Sequence, residues 1–153
     1  MNILILIIVV PDTSCITQYP FVRGKNYCLG VDMATPNSLV KLFTISGTGG
    51  VTQLWSLTND GYLVLSQNPN AVLNVISESD PQVHLETKYA SDNQNVWTLN
   101  INNNLVYNTS NGSKLNGFVL EAEQWGDNAS VKLSPYKEGS VMQKWGFYRL
   151  VKE

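Results

Sequence analysis

Charge is scarce in this sequence: only 14% of its 153 residues are Asp, Glu, Lys or Arg, against roughly 25% in an average soluble protein. Ten Lys and Arg against 12 Asp and Glu leave a net charge of -2. No basic face remains to displace counterions from a phosphate backbone, which excludes general nucleic-acid binding. One His and 2 Cys are too few ligands for a closed Cys/His zinc site, and no metal or cofactor is implied. No segment after residue 18 sustains a helical stripe. The one apolar run, Ile3 to Val10, falls well short of the ~18 residues needed to cross a bilayer, so membrane insertion is not expected. Amide takes the place of charge, with 17 Asn in the chain. The length suits a single domain with its own core.

The N-terminal segment differs from the rest. Ile3 to Val10 is followed by Pro11 and the small or polar Asp12, Thr13, Ser14 and Cys15. That is the length and trailing composition of a secretory leader over residues 1–15, although Met1 and Asn2 bring no Lys or Arg. A first buried strand is the alternative, because Ile and Val favour pleated backbone. The leader reading places the protein outside the cell or on its surface. Sequons at Asn108-Thr109-Ser110, Asn111-Gly112-Ser113 and Asn128-Ala129-Ser130 fit an exported glycoprotein. Cleavage after Cys15 leaves Cys28 alone, whereas earlier cleavage or none keeps a Cys15 to Cys28 bridge available, and the count does not choose.

An internal repeat emerges when the tryptophans are aligned. Gln53-Leu54-Trp55, Asn95-Val96-Trp97 and Gln143-Lys144-Trp145 are spaced 42 and 48 residues apart. Val40-Lys41-Leu42, Val83-His84-Leu85 and Val131-Lys132-Leu133 precede them, each Val 15, 14 and 14 residues before its Trp. Leu29-Gly30-Val31, Leu73-Asn74-Val75 and Leu120-Glu121-Ala122 come earlier still, in the same order. Apolar and polar residues alternate at each anchor, and turn formers such as Asn68-Pro69-Asn70 and Asn111-Gly112 fill the gaps. The pattern predicts an all-β domain of about four strands per repeat that closes on itself, since closure removes exposed edges. Residues i and i+2 of a strand share a face, so the tryptophans can meet in a common interior while Gln53, Asn95 and Gln143 brace adjacent loops.

With these repeats the chain resembles the ricin-B-type β-trefoil lectin family, whose signature is a Gln-x-Trp step in each of three repeats. The resemblance covers roughly residues 19 to 150, with Asn95 replacing Gln in the middle copy. It implies a single β-trefoil domain over residues 19–153 with pseudo-three-fold symmetry and repeats at about 19–64, 65–107 and 108–153. It also implies shallow sugar sites, glycans or glycoproteins as partners, and no catalysis.

The family's site needs an acceptor for vicinal hydroxyls, an aromatic ring to stack on the sugar's C–H face, and an orienting amide. In the first repeat the acid position holds Gly30, Asp32 follows two residues later, Phe43 takes the stacking position, and Lys41 and Thr52 replace amides. In the second, Asn74 takes the acid position, His84 the amide position and Gln94 the Asn position, while Glu86 replaces the ring and Tyr89 is a substitute from the next loop. In the third, Glu121 takes the acid position, Ser134 occupies the stacking position with Tyr136 two residues beyond, and Gln143 is counted with the site. The loop Gln124-Trp125-Gly126-Asp127-Asn128 supplies a further ring and acceptors, which makes the third repeat the preferred site; packing of Trp125 against its own strand is the alternative. Glycosylation of Asn128 conflicts with a sugar site on that loop.

The reading is a non-catalytic lectin. Its rival is a trefoil whose sugar sites have decayed, acting as a protein-binding module such as a protease inhibitor or surface-coat component, favoured by Gly30, Glu86 and Ser134. Glu121 and Glu123 could be read as a glycosidase pair, but adjacent exposed carboxylates are more often solvated. His84 reads as a half-buried strand residue rather than a general base. Two or more working repeats would make a monomer multivalent, whereas one would require a homodimer to agglutinate cells.

Overall fold

Apolar residues alternating with polar ones become strand at every repeat anchor. The structure, a computed structural model, describes residues 3–7, 13–24, 27–45, 50, 52–88, 95–110 and 112–152. Among these the strands are β1 (Ile3–Ile7), β2 (Cys15–Gln18), β3 (Tyr27–Gly30), β4 (Lys41–Thr44), β5 (Trp55–Leu57), β6 (Leu63–Leu65), β7 (Asn68–Val75), β8 (Val83–Thr87), β9 (Asn95–Leu99), β10 (Leu105–Thr109), β11 (Val119–Ala122), β12 (Val131–Ser134) and β13 (Trp145–Lys152). A short 3-10 turn, Val141–Gln143, precedes β13. In β8, Val83 and Leu85 are buried and His84 between them is half-buried, the period of two expected of a strand with one face in the core.

Strands β2 to β13 fall into three copies of one unit, β2–β5, β6–β9 and β10–β13. The first strand of each unit pairs with the last strand of the unit before it: β6 with β5, β10 with β9, and β2 with β13, so the last unit closes on the first. Each unit is also tied end to end, because the backbone N–H groups of Trp55, Trp97 and Trp145 donate to the carbonyls of Ser14, Gly61 and Asn103 at 2.8, 2.7 and 2.8 Å. The result is a closed barrel. The hairpins β3–β4, β7–β8 and β11–β12 form a ring through the bridges Leu39 to His84, Gln82 to Lys132 and Lys41 to Ser130. This is the closed all-β domain that the repeats predict and the β-trefoil that the family resemblance implies.

The three tryptophans occupy equivalent places in the core. Trp55, Trp97 and Trp145 are 0%, 2% and 0% exposed, and their indole N–H groups donate to the carbonyls of Leu29, Leu73 and Leu120 at 3.0, 3.0 and 2.9 Å. The last anchor of each repeat is thereby bonded to the first. Gly61 and Asn103 occupy matching turns between units with φ of 92° and 63°. At Gly61 a Cβ would also come within 2.9 Å of the Val96 Cβ, so glycine is required there.

The repeats begin earlier than the anchors suggested. β2 starts at Cys15, ahead of residue 19, and β6 and β10 start at Leu63 and Leu105, ahead of 65 and 108. These opening strands are 4, 3 and 5 residues long and carry none of the three anchors, which is why the alignment passed over them. Cys15 and Cys28 form a disulfide within a small buried cluster with Ile45 and Leu150. The apolar N-terminal run supplies β1, antiparallel to β13 from Ile3 opposite Lys152 to Ile7 opposite Tyr148, on the side of β13 away from β2. Among the described residues no helix is long and apolar enough to cross a membrane.

Candidate functional site

Corresponding positions of the three hairpins hold different chemistry, because register aligns them. Gly30 pairs with Lys41, Asn74 with His84, and Glu121 with Lys132.

In the third repeat, the 3-10 turn delivers Gln143 into the interior, where it is 0% exposed. Its Nε2 donates to Glu121 Oε1 at 3.1 Å and to the Pro135 carbonyl at 2.9 Å, while its Oε1 accepts the Lys137 backbone N–H at 2.8 Å. The two loop contacts flank Tyr136, whose exposed ring therefore stands on a braced turn. Lys137 Nζ lies 3.4 Å from Glu121 Oε1; with the lysine 62% exposed, that ion pair is worth little against solvent. Both recorded contacts use Oε1, which leaves Oε2 for a ligand. Glu121 lines a cavity of about 600 Å³ together with Glu123, Lys132, Lys137, Ser140 and Gln82.

Two residues read as part of this site have other work. Trp125 is half-buried and meets Trp145 edge to face, with ring centroids 4.9 Å apart and planes at 71°. It packs on the core instead of offering a platform, because apolar burial against a neighbouring ring outweighs exposure. Asp127 turns towards the first repeat, its Oδ1 accepting the Thr44 backbone N–H at 2.9 Å. Asn128 is exposed with φ 62° and donates its backbone N–H to the Leu42 carbonyl at 2.8 Å. Trp125 and Asp127 do not line the Glu121 cavity, but Ser130 of the Asn128 sequon does, so a glycan on Asn128 would still stand close to it. Asn108 is half-buried and donates to Thr98 Oγ1 at 3.2 Å, and Asn111 lies outside the described residues.

The first repeat has no room for an acceptor. A Cβ at Gly30 would fall 2.9 Å from the Thr52 carbonyl oxygen and 3.2 Å from both Gln53 Cγ and Phe43 Cδ2. Phe43 is therefore half-buried over the position the acid would occupy. Asp32 does not compensate: β3 ends at Gly30, so strand alternation does not carry to Asp32, which sits exposed in a bend. Gln53 still braces its loop, donating to the Thr44 carbonyl at 2.7 Å and accepting the Gly50 N–H at 3.3 Å.

The second repeat holds a smaller cavity, about 310 Å³, lined by Asn74, Glu78, Glu86, Asn95, Tyr107 and Ser113 among others. His84, paired with Asn74 and bridged to Leu39, is not among its lining residues; Gln94 and Tyr89 lie outside the described residues. Asn95 takes up side-chain hydroxyls rather than loop backbone, its Oδ1 accepting from Tyr107 at 2.9 Å and Thr109 at 3.0 Å. Tyr107 was not visible as a site residue, but its signal was present. It faces Trp97 in the register where Leu65 faces Trp55, which places a polar tip at a core position. Gln82 was hidden for another reason, since it reaches the third repeat's cavity from the second.

Burial pushes the Tyr107 phenol up to about 12, against a smaller downward pull from the Thr109 hydroxyl. The unfolded chain's phenol ionises near 10. Between these values the folded state keeps a proton that the unfolded state has lost, so stability falls as pH rises through that window. Wild type is expected to lose stability relative to Tyr107→Phe above about pH 10, measured as the difference in urea midpoint along an alkaline series. Parallel midpoints would contradict the buried phenol.

A family model described as the ricin-type β-trefoil lectin domain matches residues 20–146. Calcium up-regulated protein F of Dictyostelium discoideum is 30% identical over 138 residues, which make up 90% of this chain but only 16% of that protein. The earthworm R-type lectin C-half, solved in complex with GalNAc, is similar with a TM-score of 0.65 at 15% identity, covering 90% of this chain and 98% of that one. A designed three-fold symmetric protein, ThreeFoil, has a TM-score of 0.64 at 25% identity, covering 92% and 99%.

Proposed function

This chain belongs to the ricin-type β-trefoil lectin domain family, and from that premise we propose that it binds glycans without catalysis, chiefly through the third repeat. The observation that carries this reading is Glu121, whose carboxylate Gln143 holds at a 600 Å³ cavity with Oε2 left for sugar hydroxyls. The cavity is of the size that takes a small ligand. Tyr136, 51% exposed on the turn that Gln143 braces, does not line the cavity itself but offers a ring next to the lining residue Lys137. The amide-rich surface suits this ligand class, because neutral hydroxyl-rich molecules are held by hydrogen bonds and stacking more than by charge. The Cys15–Cys28 disulfide supports a protein exported or displayed at the cell surface, where such bonds persist.

A glycan array tests the proposal. Specific signals are expected, competed by free monosaccharide at about millimolar strength, and lost in Glu121→Ala while the far-UV spectrum is unchanged. A flat array from folded protein, with a protein partner captured in a way that sugar does not compete, would point instead to a protein-binding module.

A further inference from the structure

The second repeat's pocket offers a ligand something different from the third's, and buried groups create the difference. Asn74 stands at the acceptor position and is 7% exposed. Its Oδ1 accepts the Val75 backbone N–H at 2.8 Å and shares the single Tyr107 hydroxyl proton, 3.0 Å away, with Asn95 Oδ1, while its Nδ2 donates to Glu86. The Val75 contact fixes which end of the amide is oxygen, and with that N–H and the shared hydroxyl already on that oxygen Asn74 has little left for a ligand. The acceptor role passes to Glu86, which stands where the family resemblance implies a ring. Glu78 lines the same 310 Å³ cavity. Its carboxyl is held below the usual range by the Lys114 backbone N–H and the Ser113 hydroxyl. The Lys114 ammonium adds a smaller electrostatic pull in the same direction. The cavity's ring, Tyr107, is 2% exposed, so it cannot stack on a sugar face.

Resting on the sugar-binding reading above, we propose that this pocket selects sugars bearing a free amino group, with Glu86 as the acceptor and Tyr107 as the residue that positions it. A hexosamine's ammonium group donates a charge-assisted hydrogen bond to Glu86 and is attracted by the Glu78 carboxylate that lines the same cavity. A neutral sugar gains neither effect and has no ring to stack on, N-acetylation removes the charge, and an acidic sugar is repelled.

The test is titration of the folded protein with glucosamine, N-acetylglucosamine and glucose, followed by calorimetry and by the amide signals of Asn74 and Asn95. Glucosamine is expected to bind about tenfold more tightly than the other two and to shift those signals. Glu86→Gln is expected to level the three sugars, and Tyr107→Phe to narrow the preference severalfold. Loss of fold in Tyr107→Phe would leave Glu86→Gln to decide the matter. Equal affinities in wild type, or a preference that survives Glu86→Gln, overturn the inference. Neutral-sugar binding abolished by Glu121→Gln, without any amino-sugar preference, overturns it while leaving the third-repeat site standing. Silence towards all sugars overturns both.

Discussion

Trp145→Ala is expected to cost about 3–5 kcal/mol, enough to consume much of the roughly 5–15 kcal/mol that holds a domain of this kind folded. Three losses combine at that position. The side chain is 0% exposed, so its removal opens a cavity at the centre of the barrel. Its indole donates to the Leu120 carbonyl at 2.9 Å, and that oxygen would be left without its partner. Its ring also receives Trp125 edge to face at 4.9 Å, a contact worth about 0.5–1.5 kcal/mol beyond burial. The measurement is thermal unfolding by circular dichroism, with a fall of about 10–15 °C expected. Because Trp55 and Trp97 repeat the burial and the indole-to-leucine bond, their alanine variants should fall by similar amounts. Trp125→Ala, removing a half-buried ring, should fall by far less. A Trp125 effect as large as that of Trp145 would contradict the packing described here.

That symmetry explains why the fold could be read from the sequence and the site only in part. Phased Trp, Val and Leu anchors report on the interior, where all three repeats face the same packing problem and use the same residues. Ligand positions carry no such constraint. Gly30, Asn74 and Glu121 occupy one register position, and each hairpin builds something different around it: a closed ring-on-backbone contact, a phenol-locked amide and a braced carboxylate. Trp125 shows the limit most clearly. A tryptophan in a polar loop reads as exposed from its neighbours, but the loop folds back over Trp145, which lies 20 positions further along the chain. Asp127 likewise finds its partner, Thr44, 83 positions away in another repeat. Contacts between repeats leave no trace in the spacing within one.

Gln143→Ala is expected to affect both stability and binding, and comparison with Gln53→Ala separates the two. Gln143 makes three hydrogen bonds, two to the Tyr136 turn and one to Glu121. Deleting them should cost about 1–3 kcal/mol of stability, since Gln143 is fully buried. It should also weaken sugar binding about ten- to hundredfold, because a hydrogen bond to a charged group is worth about 1.5–3 kcal/mol and Glu121 would lose its orienting donor along with the ring's support. Gln53 braces the first repeat's loop through the Thr44 carbonyl and the Gly50 N–H, but Gly30 gives that repeat no acid to orient. Gln53→Ala should therefore lower the unfolding midpoint comparably and leave sugar affinity unchanged. Gln143→Glu sharpens the contrast: nearly the same shape places a second carboxylate against Glu121 and removes the donor, so affinity should fall at least as far as in Gln143→Ala. If Gln53→Ala and Gln143→Ala weakened binding equally, the loss would follow from general loosening of the barrel, and Glu121 would have no special claim to the sugar.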